Sequence, residues 1–295
     1  MTATHRLIAL ASHKRISFRV VPASSSLPVA RRFGETTRSD AWWLQSAITF
    51  TVFLAFIIYA TWAGLSNANY EFGPYLSPMY SPLLFGPSAH AWFGGPAQPA
   101  WWPSFLPYSA AALILIFPLG FRLTCYYYRG AYYKAFLADP PGCGVGEPRK
   151  TYFGERWFPL VIQNVHRYFL YFAIVFIVIL GSDAWKALWF PADGSTTLVA
   201  GAPLRFGVGV GTIVLATNVV FIALYTFGCH SLRHLVGGAM DVMSGRPVRK
   251  TAYTCVSCLN RWHMNWAWTS LVWVGFTDLY VRLCAMGVWH DYRLF

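Results

Sequence analysis

Charge is what this chain has least of. Only 12% of its 295 residues are Asp, Glu, Lys or Arg, about half the share found in soluble domains. With 56% hydrophobic residues and a mean hydropathy of +0.41, this excludes an ordinary soluble domain and points to an integral membrane protein. Acidic residues are the scarcer sign, 11 against 23 Lys and Arg, and none precedes Glu35. The resulting net charge of +12 would suggest nucleic acid in a soluble chain. Here basic loops against anionic headgroups account for it, and no nucleic-acid partner is expected. Lys and Arg are missing from the whole stretch 66–106. Internal repeats and inverted halves are also missing, which argues against the common transporter designs.

What is present is a set of five apolar stretches, from about Ser46 to Leu65, Pro107 to Thr124, Tyr168 to Trp185, Phe206 to Phe227 and Trp266 to Met286. Each suits the roughly 20 residues of helix that cross a hydrocarbon core. Fourteen Trp and seventeen Tyr fit two membrane–water interfaces. The expectation is an all-α membrane protein of five transmembrane helices over 42–295, preceded by a basic tail, 1–41, that touches lipid. Basic residues fill that tail and the segments after the second and fourth spans, so the N-terminus is expected in the cytoplasm and the C-terminus outside. Pro118 predicts a kink in the second span. The glycines of FGVGVGT predict a close neighbour or a loose first turn in the fourth. The Pro-, Gly- and aromatic-rich loop 66–106 predicts a packed cap.

Thiols and imidazoles gather on the side assigned to the cytoplasm. Cys125 ends the second span and Cys143 follows in a stiff Pro-Pro-Gly turn. His166 opens the third span, and Cys229, His230 and His234 end the fourth, with His230 and His234 on one helical face. Soft N/S donors at a membrane boundary suit a metal, and an iron–sulfur cluster is the natural candidate. The plain alternatives are small buried thiols and interfacial histidines bonded to carbonyls. Cys255 and Cys258 of TCVSC, with His263 beyond them, form a competing motif that supplies only part of a zinc site. A bis-His haem needs histidines inside facing spans, and none lies there, so no haem is expected. In the fifth span Asp278 and Arg282 stand at i,i+4 near Trp273. They read either as a structural pair or as quinone and proton contacts.

The segments CYYYRGAYYKAF, PPGC, FPLVIQNVHRYFLYFA, CHSLRHLVGG and WAWTSLVWVGFTDLYVRL occur in that order, with YLSPMYSP in the long loop. Together they resemble the single-chain membrane anchor of succinate dehydrogenase, respiratory complex II, of the type found in mycobacteria and their relatives. The resemblance runs from about Ala41 to the C-terminus. It implies a multi-pass protein of the bacterial inner membrane that binds a flavoprotein and an iron–sulfur subunit and contains no haem, in a complex that can form a higher oligomer. It also implies a Rieske-type [2Fe–2S] cluster, with two thiolates and two imidazoles, that passes electrons to quinone. Cys125 and Cys143 are the matching thiols, and His166 with His230 or His234 the imidazoles. Asp278, Arg282 and Trp273 are the expected quinone contacts. On this reading the chain serves an enzyme without itself oxidising succinate. The rival readings are a proton-coupled transporter and a membrane-bound zinc enzyme.

Overall fold

A computed structural model describes residues 32–149, 157–158, 160–239 and 241–295. Most of the basic tail, together with Lys150 and Arg156 of the loop after the second span, lies outside the described residues.

The architecture is helical: α1 (Leu44–Ser66), α2 (Ala110–Leu123), α3 (Tyr126–Ala131), α4 (His166–Lys186), α5 (Val210–Phe227), α6 (His230–Gly237), α7 (Pro247–Arg261) and α8 (His263–Ala285). The strands are short antiparallel pairs, β1 (Glu71–Phe72) with β2 (Tyr75–Leu76) and β3 (Trp189–Pro191) with β4 (Leu204–Phe206). The five apolar stretches fall on the helices α1, α2, α4, α5 and α8. A helix satisfies its own backbone, which is why such runs adopt it in lipid. α1, α5, and α4 with the 3-10 turn before it are each long and apolar enough to cross a bilayer. α2 and the helical segment after it, inclined at 71°, make a fourth such element if taken as one span. α8 has 23 residues, and Trp, Tyr, Thr and a charged pair dilute its apolar character.

Local chemistry sets the ends. Ser109 caps α2 by accepting a hydrogen bond from the Ala112 N–H at 3.1 Å. Pro118 sits inside α2, and the sharp turn comes after it, where Thr124 and Cys125 separate α2 from α3. Pro247 opens α7, where its missing N–H leaves no gap in the ladder. The small residues at the start of α5 admit a ring, not a helix: a Cβ on Gly211 would lie 2.5 Å from the Tyr75 ring.

The long loop between α1 and α2 packs as a cap. Its Tyr75, Leu76, Met79, Tyr80 and Leu83 are buried, as are Ser77 and Ser81. This defines a loop end of the bundle. A second core, built from Phe121, Tyr128, Leu170, Tyr225, Ala267 and Leu271, lies toward the opposite end and encloses Cys125 and Cys229.

Candidate functional site

Four donors meet at the end of the bundle opposite the cap, each at a helix break. Cys125 is the extended residue between α2 and α3, and Cys229 is its counterpart between α5 and α6. His166 is the first residue of α4 and His263 the first of α8. A helix break leaves the side chain free of the i±4 ladder, so four different elements can turn one donor each toward a common space.

His166 Nε2 lies 3.1 Å from the Cys229 Sγ, and Cys125 Sγ lies 3.8 Å from His263 Nε2. Cys125, Cys229 and His263 are 2% exposed or less. The tautomer of His166 follows from its neighbours. Thr124 Oγ1 lies 2.7 Å from the Gly120 carbonyl and 2.9 Å from His166 Nδ1. A hydroxyl has one proton, and the carbonyl can only accept. His166 Nδ1 therefore carries the proton and donates to Thr124, and Nε2 turns a lone pair toward Cys229. That is the ligating form of imidazole, oriented by a second hydrogen bond.

Aromatic rings fix the imidazole planes. Phe121 stacks on His166 at 4.6 Å and 8°, and Tyr225 stacks on His263 at 5.0 Å and 13°. His263 Nδ1 is buried without a hydrogen-bond partner, which leaves this side chain unsatisfied by protein alone. It lies close against the backbone of Gly228, where a Cβ would come within 3.3 Å of it. Burial pushes the Cys229 thiol up to about 11, so with nothing bound it stays a neutral thiol. Desolvation by the side chains packed beside it, then the charges of Arg233 and His234, hold the otherwise exposed His230 below its ordinary value.

Of the residues singled out in the sequence, Cys125 and His166 come together here. His230 stands at the rim, exposed, with its ring 6.2 Å from His263 and 6.1 Å from Tyr127. His234 is exposed on α6. Cys143 does not reach Cys125: it is exposed, and Arg38 donates to its carbonyl at 2.9 Å. The Pro-Pro-Gly turn folds back onto the chain entering α1, where Ser46 donates to the Pro141 carbonyl at 2.9 Å. Sequence reasoning passed over Cys229 and His263 as partners. The signal for Cys229 was its place at a span's end, the same as that of Cys125. The signal for His263 was its place at a span's start, like that of His166. Cys255 and Cys258 are exposed on α7. Among the described residues no three His, Cys, Asp or Glu side chains are set to hold one metal ion. The donors instead form two adjacent thiol–imidazole pairs.

Asp278 and Arg282 lie at the loop end, fully engaged. Arg282 Nε donates to Asp278 at 2.8 Å, and its terminal nitrogens donate to the Ala63 carbonyl at 2.7 Å, the Ala68 carbonyl at 2.6 Å and the Ser66 hydroxyl at 2.9 Å. Tyr59 and Ser77 donate to Asp278. Both charges are buried, and these partners all belong to the packing of α1, the cap and α8. Trp273 donates to the Val214 carbonyl at 3.2 Å and packs between Phe221 and Phe276. None of the three lines the main cavity. That cavity, of about 420 Å³, lies among α1, α2, α4, α5 and α8. Its wall is apolar apart from Thr61, Arg122, Tyr225 and Thr226.

The model of the family described as actinobacterial succinate dehydrogenase subunit SdhC matches residues 44–287. A solved structure, the Mycobacterium smegmatis Sdh1 complex in the apo form, contains a chain 38% identical to this one. The match covers 91% of this chain and 97% of that one, with a TM-score of 0.77. No curated protein matches. A family match across most of the chain, joined to this likeness of sequence and fold, places the protein: it belongs to the actinobacterial succinate dehydrogenase subunit SdhC family, the membrane anchor of that enzyme complex.

Proposed function

We propose that the chain fixes the flavoprotein and iron–sulfur subunits of a succinate:quinone oxidoreductase to the bacterial plasma membrane and relays electrons from them to quinone. On this reading α1, α2, α4, α5 and α8 are five spans, with the N-terminus in the cytoplasm and the C-terminus outside. The absence of Lys and Arg from 66–106 and their abundance in the loops at the opposite end support that orientation.

The observation that carries the relay is the meeting of two thiols and two imidazoles, with His166 oriented as a ligand by Thr124. Two thiols and two imidazoles match in kind the ligands of a Rieske-type [2Fe–2S] cluster, and among the described residues no three donors are set on one point as a single zinc ion needs. Cys125 and Cys229 would hold it by thiolates, and His166 and His263 by imidazoles. Of the ligands expected from sequence, Cys143 and His234 are exposed and apart, and His230 is the reserve imidazole at the rim. A cluster with imidazole ligands supplies a one-electron carrier at a higher potential than an all-thiolate one. The chain's own part is to exclude water with Tyr128, Tyr225 and Leu271, to hold the imidazole planes by stacking, and to accept the His166 Nδ1–H at Thr124 Oγ1.

The test is iron, zinc and acid-labile sulfide analysis of the purified complex, with paramagnetic resonance of its reduced form. Two extra irons beyond the soluble clusters, with the low average g value of imidazole-ligated iron, are expected. Zinc at the site, or no metal there, would overturn the relay.

A further inference from the structure

Beside the candidate metal site, Tyr225 holds a buried hydroxyl with no hydrogen-bond partner. The residue lies in the last turn of α5 and is 1% exposed. A phenol hydroxyl is a donor that folded proteins seldom leave unused, because taking it out of water without a replacement partner is costly. The ring cannot swing to find one elsewhere. It is stacked on His263, with Phe121 at 5.3 Å and Tyr128 at 6.2 Å. The Arg122 guanidinium lies 4.9 Å from the ring centre. That guanidinium is itself fixed, donating to the Tyr128 hydroxyl at 2.6 Å, the Ala267 carbonyl at 3.2 Å and Ser270 Oγ at 3.1 Å.

The group this hydroxyl faces is the Cys125 thiol, and Cys125 and Tyr225 belong to one core. A thiol sulfur is a weak acceptor. A metal-bound thiolate carries negative charge and accepts strongly, so the orphaned donor suits a sulfur that ligates. Cys229 Sγ already accepts the Ser231 N–H at 3.3 Å; Tyr225 brings the matching donor to the other sulfur. We infer that Tyr225 sets the reduction potential of the relay by donating its hydroxyl to the Cys125 sulfur. The inference rests on the relay reading above. Reduction takes one electron from the enzyme's iron–sulfur reductants, and part of the added charge falls on the sulfur ligands. A donor fixed on one of them stabilises the reduced form more than the oxidised form, and so raises the potential. The phenol proton stays on its oxygen throughout, and no bond forms or breaks. Since its ring also stacks on His263, Tyr225 is the positioning residue of one whole thiol–imidazole pair.

The experiment is a redox titration of the assembled complex, poised with mediators and read by paramagnetic resonance. Tyr225→Phe keeps the ring and its stack on His263 and removes only the donor. At the wild-type midpoint it is expected to lower the ratio of reduced to oxidised cluster about tenfold, which is about 59 mV for a one-electron couple. The signal per flavin at full reduction is expected to stay at the wild-type value, which a merely structural role for the hydroxyl would not combine with a shifted potential. A fluorinated tyrosine placed at Tyr225, a stronger donor of nearly the same size, is expected to move the ratio the opposite way. A ratio unchanged from wild type in Tyr225→Phe overturns the inference. If Tyr225→Phe assembles without the cluster, the fluorinated protein decides, and an unchanged ratio there overturns it equally. Absence of any imidazole-ligated iron signal from the wild-type complex would instead sink the relay reading itself.

Discussion

His166 faces Cys229 across 3.1 Å, and the hydroxyl of Thr124 holds the far side of its ring. The imidazole is thus oriented before anything binds. This arrangement, together with its neighbours, makes the following outcomes measurable.

The ligand set is tested first. His263→Ala and Cys229→Ser are expected to abolish the resonance signal of the imidazole-ligated cluster and to lower iron and acid-labile sulfide per flavin. Cys143→Ser and His234→Ala are expected to leave all three at wild-type levels. A full signal in His263→Ala, with loss in His230→Ala, would transfer the second imidazole role to the rim histidine.

Thr124→Val removes the acceptor for His166 Nδ1 while keeping side-chain volume. Outer partners of this kind are typically worth about 10–100-fold in metal affinity. The variant is expected to retain less cluster after dialysis against chelator, and to show altered g values in what remains. Thr124→Ser restores the hydroxyl and is expected to behave as wild type.

Asp278→Asn leaves Arg282 buried beside a neutral partner. Breaking a buried pair on one side costs about 3–5 kcal/mol, so the melting temperature of the complex is expected to fall and its yield with it. Replacing Asp278 by Asn together with Arg282 by Met removes both charges and is expected to recover part of the loss. Quinone turnover per assembled complex stays at the wild-type value, because the polar groups of both residues are already bonded within the packing. A selective loss of turnover in well-assembled Asp278→Asn would return the proton-supply role to this carboxylate.

Gly228→Ala tests the packing around His263. The added Cβ would lie 2.9 Å from the Leu224 carbonyl oxygen, 3.1 Å from that of Leu259 and 3.3 Å from His263 Nδ1. Overpacking of this kind costs about 1–3 kcal/mol. Lower thermal stability together with a reduced cluster signal is the expected pair of results; an unchanged signal would separate His263 from the site.

Much of the fold is readable in the chain because lipid imposes a one-dimensional rule: long apolar runs become helices. The crowding of donors at helix ends was equally readable. Their partnerships were not. Cys125 meets a histidine 138 positions away, and His166 a cysteine 63 positions away. Such closures are set by how helices stack and leave no local trace. Cys143 looked the better partner for Cys125 because it is near in sequence and follows a stiff turn, yet that turn serves Arg38 and Ser46. Arg122 drew no notice because a basic residue at the end of an apolar run ordinarily snorkels to the headgroups. Here Tyr128, just past the bend between α2 and α3, and Ser270 of α8 hold it against the cavity instead.

The clamp around Arg282 and Asp278 joins α1 to α8, with bonds spanning up to 219 positions. A growing chain emerges N-terminus first, so α1 and the cap remain unlatched until α8 has been made and docked.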